Sequence, residues 1–378
     1  MKKMGLYIHI PFCVKKCNYC DFLSAPSSKQ VQIAYMDTLQ KEIEEKAIAY
    51  KDWCVDTIFI GGGTPTSVPY ETIVKMMDTV WAEFCLDKDC EITIECNPGT
   101  VTGEALKAYR AAGINRLSIG LQSADDELLK ELGRIHTYEQ FLETYTWARE
   151  AGFENVNVDV MSGLPGQSIE QYEDTLKKLV ELHVEHISAY SLIIEEGTPF
   201  FKQYEEDQLD LPDEETERDM YYRTKTMLDE AGFSRYEISN YAKKGYECRH
   251  NVRYWRREDY LGLGLGASSC MENVRFKNTD WLDEYVLESK YMDKCDVQEL
   301  SSQECMEEFM FLGLRLKRGV SIAEFVRRFG RTPDEVYPGI IEKFHNEKLL
   351  LCKNGRIFLS KKGTDVANYV MAEFILEK

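Results

Sequence analysis

The feature that most constrains this chain is an alternation of short β-rich runs with amphipathic helical stretches. The β-rich runs fall at 57–60, 91–95, 116–121, 155–160 and 186–193, with an earlier one at 6–10 and a later one at 235–239. Between them, apolar spacing predicts helices over 70–84, 103–111, 138–151, 169–182 and 213–231. Three of these run into glycine, at Gly113, Gly152 and Gly232, a common C-terminal stop. Strand and helix alternating over this length imply a parallel sheet covered by helices, an α/β fold. Periodicity fits both an open doubly wound sheet and a closed or partial β/α barrel. Polar residues at strand ends favour the barrel: apolar runs lead into Glu95, Gln122 and Asp159, and barrel sites collect such groups at the C-terminal ends of several strands. Capping of the next loop explains any one of them; three in series weaken that explanation.

The chain has 378 residues and a net charge of −19, which argues against a role coating nucleic acid. The longest uncharged stretch, 57–70, contains three glycines and two prolines and is too short and broken for an integral membrane segment. The opening Met1-Lys2-Lys3 and the apolar run after it have the outline of a secretory leader. That run holds His9 and Pro11 and leads into cysteines rather than a small-residue cleavage site, so we expect it to belong to the fold. Twelve cysteines in a chain this long are too sparse for a secreted disulfide scaffold and fit a reducing, cytoplasmic setting.

We divide the chain at residue 300. Residues 1–299 carry the alternating pattern, and 300–378 form a small α+β module. The module reads as helices at 303–316, 322–329 and 333–347, a hairpin turning at Asn354-Gly355, and a last helix. That order suggests a winged-helix-like domain. Its thirteen basic and eleven acidic residues balance, which favours packing or docking over DNA binding.

Cys13, Cys17 and Cys20 crowd into eight residues. Three thiolates so close in one loop can hold one metal centre. Structural zinc wants four ligands, often as two spaced pairs, and no second tight pair is present. An iron–sulfur cube held by three cysteines leaves one iron with an open site.

The segment Tyr7-Ile-His-Ile-Pro-Phe-Cys13 continuing to Cys17 and Cys20 resembles the radical S-adenosylmethionine (SAM) superfamily. It is most similar to the branch containing oxygen-independent coproporphyrinogen III oxidases and HemW-type heme chaperones, and the resemblance covers essentially the whole chain. It implies a partial β/α barrel, a [4Fe–4S] cluster on Cys13, Cys17 and Cys20, and SAM chelated at the open iron. Gly61-Gly62-Gly63-Thr64-Pro65 is similar to the family's SAM amino-group motif. Carried over by position, Tyr7, Gly62, Gly63, Thr64, Glu95, Gln122, Arg134 and Asp159 are SAM-site residues, and Leu164-Pro165-Gly166-Gln167 matches a family loop.

Two branches remain. The oxidases carry a fourth cysteine two residues after the third, where this chain has Phe22. His250-Asn-Val-Arg-Tyr254-Trp255 resembles the HNxxYW motif of the heme chaperones. That resemblance implies heme as cargo, with His250 as an axial ligand and Cys248 as an alternative. Tyr254 and Trp255 would cover the macrocycle, while Arg249 or Arg253 met a propionate. A packed, hydrogen-bonded histidine is the competing reading of His250. The implied partners are heme, apo-hemoprotein acceptors, membrane-associated ones included, and an electron donor such as a flavodoxin or ferredoxin. The alternative function is oxidative decarboxylation of porphyrinogen propionates; no catalytic residue is assigned.

Overall fold

A computed structural model describes residues 1–287 and 289–376. Glu288 and the last two residues of the tail module lie outside the described residues. Six parallel strands carry the fold: β1 (Lys2–Ile10), β2 (Trp53–Gly62), β3 (Cys85–Cys96), β4 (Arg116–Gln122), β5 (Val156–Ser162) and β6 (His186–Ser191). They pair in sequence order, β1 to β6. A doubly wound sheet reverses its strand order at a switch point; this one does not, which decides for the barrel. The barrel is partial. The free side of β1 pairs not with β6 but with a seventh parallel strand, Tyr260–Leu263, from a later insert.

Alternation of side chains across the sheet builds two different faces. On β1, Met4, Leu6, Ile8 and Ile10 are fully buried. Ile58 and Ile60 of β2, Ile92 and Ile94 of β3 and Val158 and Val160 of β5 share their core cluster. Burying each such side chain contributes about 1.5–3 kcal/mol. The opposite face, inside the barrel, is polar: Glu91, Thr93 and Glu95 on β3, Ser118 and Gln122 on β4, Asn157 and Asp159 on β5.

The outer helices are α1 (Lys29–Ala49), α2 (Tyr70–Glu83), α3 (Gly103–Ala111), α4 (Asp126–Glu131), α5 (Tyr138–Glu150) and α6 (Ile169–Glu181), and α7 (Pro199–Glu205) and α8 (Glu214–Glu230) follow β6. Side-chain caps fix where several begin. Thr137 with Gln140 and Ser168 with Gln171 form reciprocal capping boxes, each contributing about 1 kcal/mol. Gly113, Gly152 and Gly232, all at positive φ, follow the helices they were expected to end.

The expected strand at 235–239 is instead two short antiparallel pieces, Ser234–Arg235 and Asn240–Ala242, with Glu237 bonding the turn. The tail module has the expected helices and a hairpin whose strands pair in register (Leu350–Lys353, Arg356–Leu359). The helix expected over 333–347 breaks in two around Gly339, which sits at φ 80°. A short strand at Val320–Ser321 completes a three-stranded sheet. The module is anchored to the barrel. Glu308 pairs with Arg257 and Arg275, both at 2.8 Å, and the Lys317 N–H donates to the Tyr236 carbonyl at 2.9 Å.

Candidate active site

Parallel strands in sequence order put every β-to-α loop at one end, and the longest of the first five such loops carries the three cysteines. It is pinned at its base and tip. Cys13 N–H donates to the Ala25 carbonyl at 3.2 Å, and Ala25 N–H donates to that of Pro11 at 3.0 Å. At the far side, Asn18 donates to the carbonyls of Leu132 (N–H, 3.0 Å) and Glu131 (Nδ2, 2.8 Å) beyond and at the end of α4. Cys13, Cys17 and Cys20 thereby line one cavity of about 210 Å³ at the C-terminal mouth of the barrel.

The same cavity is lined by Gly62, Gly63, Thr64, Glu95, Gln122, Arg134 and Asp159. Seven of the eight residues assigned to the SAM site by position therefore converge. The eighth, Tyr7, lies on β1, where its hydroxyl donates to Nδ1 of His9 at 2.9 Å; the His9 Nε2–H donates to the Leu23 carbonyl at 2.9 Å. The tyrosine thus braces the strand leading into the cysteine loop.

The glycines of the first loop answer to the protein itself. A Cβ on Gly62, at φ 114°, would lie 2.5 Å from the His9 ring, and one on Gly63 would lie 2.6 Å from the Phe12 carbonyl oxygen. The loop must be glycine for β2 to approach the cysteine segment. Thr64 then reaches Cys13, its hydroxyl 3.6 Å from Sγ.

Arg134 ties the opposite wall. Its Nη2 donates to Gly120 O at 2.6 Å and to Asn97 Oδ1 at 2.7 Å, while Nη1 lies 3.7 Å from Cys17 Sγ. Asn97 Nδ2 donates to Thr64 Oγ1 at 2.8 Å, closing a chain from Cys13 to Cys17. Hydrogen-bond donors aimed at thiolate sulfurs stabilise the charged ligand form.

Two carboxyls face the cavity without a close cationic partner. Glu95 is half-buried and accepts one hydrogen bond, from Gly62 N–H at 3.1 Å. Burial, reinforced by the Asp159 charge, pushes its pKa up to about 8. Asp159 is raised as well, chiefly by burial, against hydrogen bonds from Asn157 Nδ2 (2.8 Å) and Ser118. Gln122 stands at φ 73°, a strained non-glycine position, and its Oε1 is buried without a partner.

These features fit the centre the sequence implied. Half-buried acids and an orphaned amide oxygen suit a ligand bearing an ammonium, a sulfonium and ribose hydroxyls. Among the described residues no three His, Cys, Asp or Glu side chains converge closely enough for a single metal ion. Cys13, Cys17 and Cys20 all line the one cavity.

Sequence reasoning missed Asn97, Tyr190 and Ser118, which also line the cavity. Ser118 and Tyr190 were readable in principle, since they alternate in step with Gln122 and His186 along their strands. Phe22 lines the mouth with its side chain largely exposed.

His250 lies elsewhere, on a short helix, α9 (Arg249–Trp255), against the lower part of β2 and β3. It is fully buried. Nδ1 is 2.9 Å from Thr57 Oγ1 and Nε2 is 2.9 Å from the Tyr254 hydroxyl, so both ring nitrogens are engaged. Glu91 accepts the backbone N–H groups of Arg249 and His250, each at 3.0 Å. Burial depresses the His250 pKa to about 3, keeping the ring neutral. Cys248 is equally buried, its thiol 3.7 Å from Glu91. Arg253 is buried in an ion pair with Asp56, and Arg249 donates to the Asp89 carbonyl.

Comparison with known proteins agrees with this architecture. Residues 7–179 match the radical SAM superfamily model and 300–366 match the HemN C-terminal domain model. A Bacillus subtilis protein named heme chaperone HemW is 36% identical over 374 residues, spanning 98% of this chain and 99% of that one. The chain belongs to the HemW family of radical SAM proteins. The Escherichia coli HemW is 34% identical over 94% of the chain and 96% of its own length. A mouse mitochondrial radical SAM domain-containing protein is 35% identical over 84% and 74%. The solved coproporphyrinogen III oxidase HemN of Escherichia coli superposes with a TM-score of 0.86 over 99% of the chain and 90% of its own, at 24% identity. That likeness establishes the shared fold.

Proposed function

We propose that this protein binds heme and delivers it to apo-hemoproteins, on a scaffold holding a [4Fe–4S] cluster and SAM. The observation that carries the reading is end-to-end similarity to proteins named heme chaperones, with no large segment of either chain left over. Phe22, at the position where the oxidases have a cysteine, supports it. Cys13, Cys17 and Cys20 hold the cluster in this reading. Gly62, Gly63, Thr64, Glu95, Gln122, Arg134 and Asp159 surround SAM, and Tyr7 acts through the strand beneath. When bound, the centre supplies one-electron reduction of SAM; this chain's residues orient the ligand and provide the carboxylates that meet its positive charge.

Lys15 and Lys16 at the cavity mouth give a flavodoxin- or ferredoxin-like acidic donor a place to dock. Twelve free thiols suit a reducing cytoplasm. Among the described residues no helix is long and apolar enough to cross a membrane. Iron ligation by His250 requires its ring to leave Thr57 or Tyr254. The test supplies cluster-reconstituted protein with heme and, separately, with coproporphyrinogen III plus SAM and reductant. Heme binding near one equivalent without porphyrin formation is expected. Steady porphyrin formation with no heme spectrum would move the assignment to the oxidase.

A further inference from the structure

A cavity of about 810 Å³ opens far from the cysteine loop, between α9 and the tail module. A second, of about 400 Å³, adjoins it and shares Arg256, Arg318 and Arg328 in its lining. The stripe Arg249, Val252, Arg253 and Arg256, one face of α9, forms the barrel side of the larger cavity. In a chain of net charge −19, basic side chains outnumber acidic ones along both linings.

Several of these cations are already neutralised: Arg253 by Asp56, Arg257 by Glu308 and Arg328 by Glu324. Three are not. Arg256 has only a 3.9 Å contact with Glu258 and is 44% exposed. The Arg318 guanidinium has no carboxylate partner among the described residues. Arg356 donates from Nε and Nη2 to the carbonyls of Arg318 and Gly319, both at 2.7 Å, and to no acid among the described residues. Burial together with the charges of Arg318 and Arg256 lowers the Arg356 pKa, so the three guanidinium groups sense one another. Like charges gathered without a counter-ion are relieved by an anion.

The walls are partly apolar. Val252 and Leu316 line the larger cavity, and Phe309, Val320 and Trp255 line the smaller. The indole Nε1 of Trp255 is buried without a partner, with Arg315 stacked over the ring at 4.3 Å. Apolar side chains beside guanidinium groups match a ligand with an apolar body and two carboxylates.

We propose that this crevice seats the propionate edge of the tetrapyrrole, with Arg256 from the barrel and Arg318 and Arg356 from the tail module gripping the carboxylates. The assignment rests on the heme-binding reading above. It gives the tail module a ligand-binding part, because the grip needs both domains.

The test uses the full-length, reconstituted protein and absorption titrations with heme and with heme dimethyl ester, whose carboxylates are blocked. Charge-assisted hydrogen bonds are worth about 1.5–3 kcal/mol, so R318Q/R356Q should weaken heme binding by at least about tenfold. The single variant Arg256→Gln, which leaves the tail's own hydrogen bonds intact, should weaken it severalfold. The ester should bind wild type as poorly as heme binds the double variant and should not distinguish the variants. Thermal melts and iron content report whether each variant is folded. If wild type binds heme and the folded variants bind it equally well, this assignment fails while the heme reading stands. If wild type binds no heme, both fail. Displacement of heme by millimolar pyrophosphate from wild type, with the ester binding as tightly as heme, would mark a phosphate site instead and overturn the proposal.

Discussion

Glu95→Gln tests the electrostatic logic of the site. The wild-type carboxyl sits half-buried among strand ends with Asp159 nearby, and desolvation there raises its pKa from the ordinary 4.5 to about 8. Its folded-state pKa lies above the unfolded one, so the fold holds a proton that the unfolded chain gives up. Stability is therefore lost as pH climbs from about 4.5 towards 8 and is level above that. At about 1.4 kcal/mol per unit, the full loss is on the order of 4–5 kcal/mol. Glutamine still accepts from Gly62 N–H but cannot ionise, so the ligand-free variant should melt higher than wild type at pH 8. Binding of a cationic ligand needs the carboxylate. With one proton released, wild-type SAM affinity should rise roughly a hundredfold between pH 6 and pH 9, most steeply below pH 8. Equilibrium dialysis of SAM against reconstituted protein across that range is the assay. Glu95→Gln should bind more weakly at pH 8 and show a much flatter profile, with the remainder from Asp159. An unchanged slope in the variant would refute the assignment of Glu95 to the ligand's charge.

Replacing Cys13, Cys17 or Cys20 singly by Ala should remove the cluster and its about four irons, whereas Cys85→Ala should leave iron content unchanged, as measured after anaerobic reconstitution. Gly63→Val should not give a clean ligand-binding defect: its Cβ meets the Phe12 carbonyl, so the protein should lose about 1–3 kcal/mol in denaturant unfolding and assemble the cluster poorly. His250→Ala removes a buried ring bonded at both nitrogens and should cost about 2–4 kcal/mol, read from the same unfolding curves. Glu308→Ala leaves Arg257 and Arg275 without their shared acid and should destabilise by about 3 kcal/mol, loosening the tail from the barrel as seen by limited proteolysis.

How far the sequence revealed the fold depended on what each element buries. The central strands were legible because β-branched and apolar residues alternate with polar ones over short runs. The first half of β3 was not: Asp87, Lys88 and Asp89 are charged and at least partly exposed, and they fall in the register break between the Val55–Leu86 and Thr57–Glu91 pairings, where Lys3 pairs with Asp87 at 2.9 Å. α1 escaped notice because its buried face is partly polar. Gln32, Gln40, Glu42 and Lys46 are all buried there. Glu42 accepts from Gly264 N–H, Asn278 Nδ2 and the Tyr285 hydroxyl, a partnership across more than two hundred residues that no local pattern displays. The strands of the insert after α9 were hidden for a related reason, since Gly262 and Gly264 sit where close packing forbids a side chain.

The site was legible in a different way. Motif spacing gathered the cysteines, the glycine loop and the strand-end acids, and the barrel order put them round one cavity. Asn97 carries no motif and lies just past the end of β3, so only the folded loop brings it in. The surroundings of His250 were also beyond local reading, because its partners Thr57 and Glu91 come from strands 193 and 159 residues earlier.

The central claim is delivery of heme. Cluster-reconstituted protein loaded with one equivalent of heme, mixed with an excess of an apo-hemoprotein and followed by the acceptor's Soret band, tests it directly. The account predicts transfer faster than from free heme at the same concentration, with no loss of porphyrin carboxylates. Failure to bind heme, or bound heme that never reaches the acceptor while coproporphyrinogen III is converted to product, would contradict it.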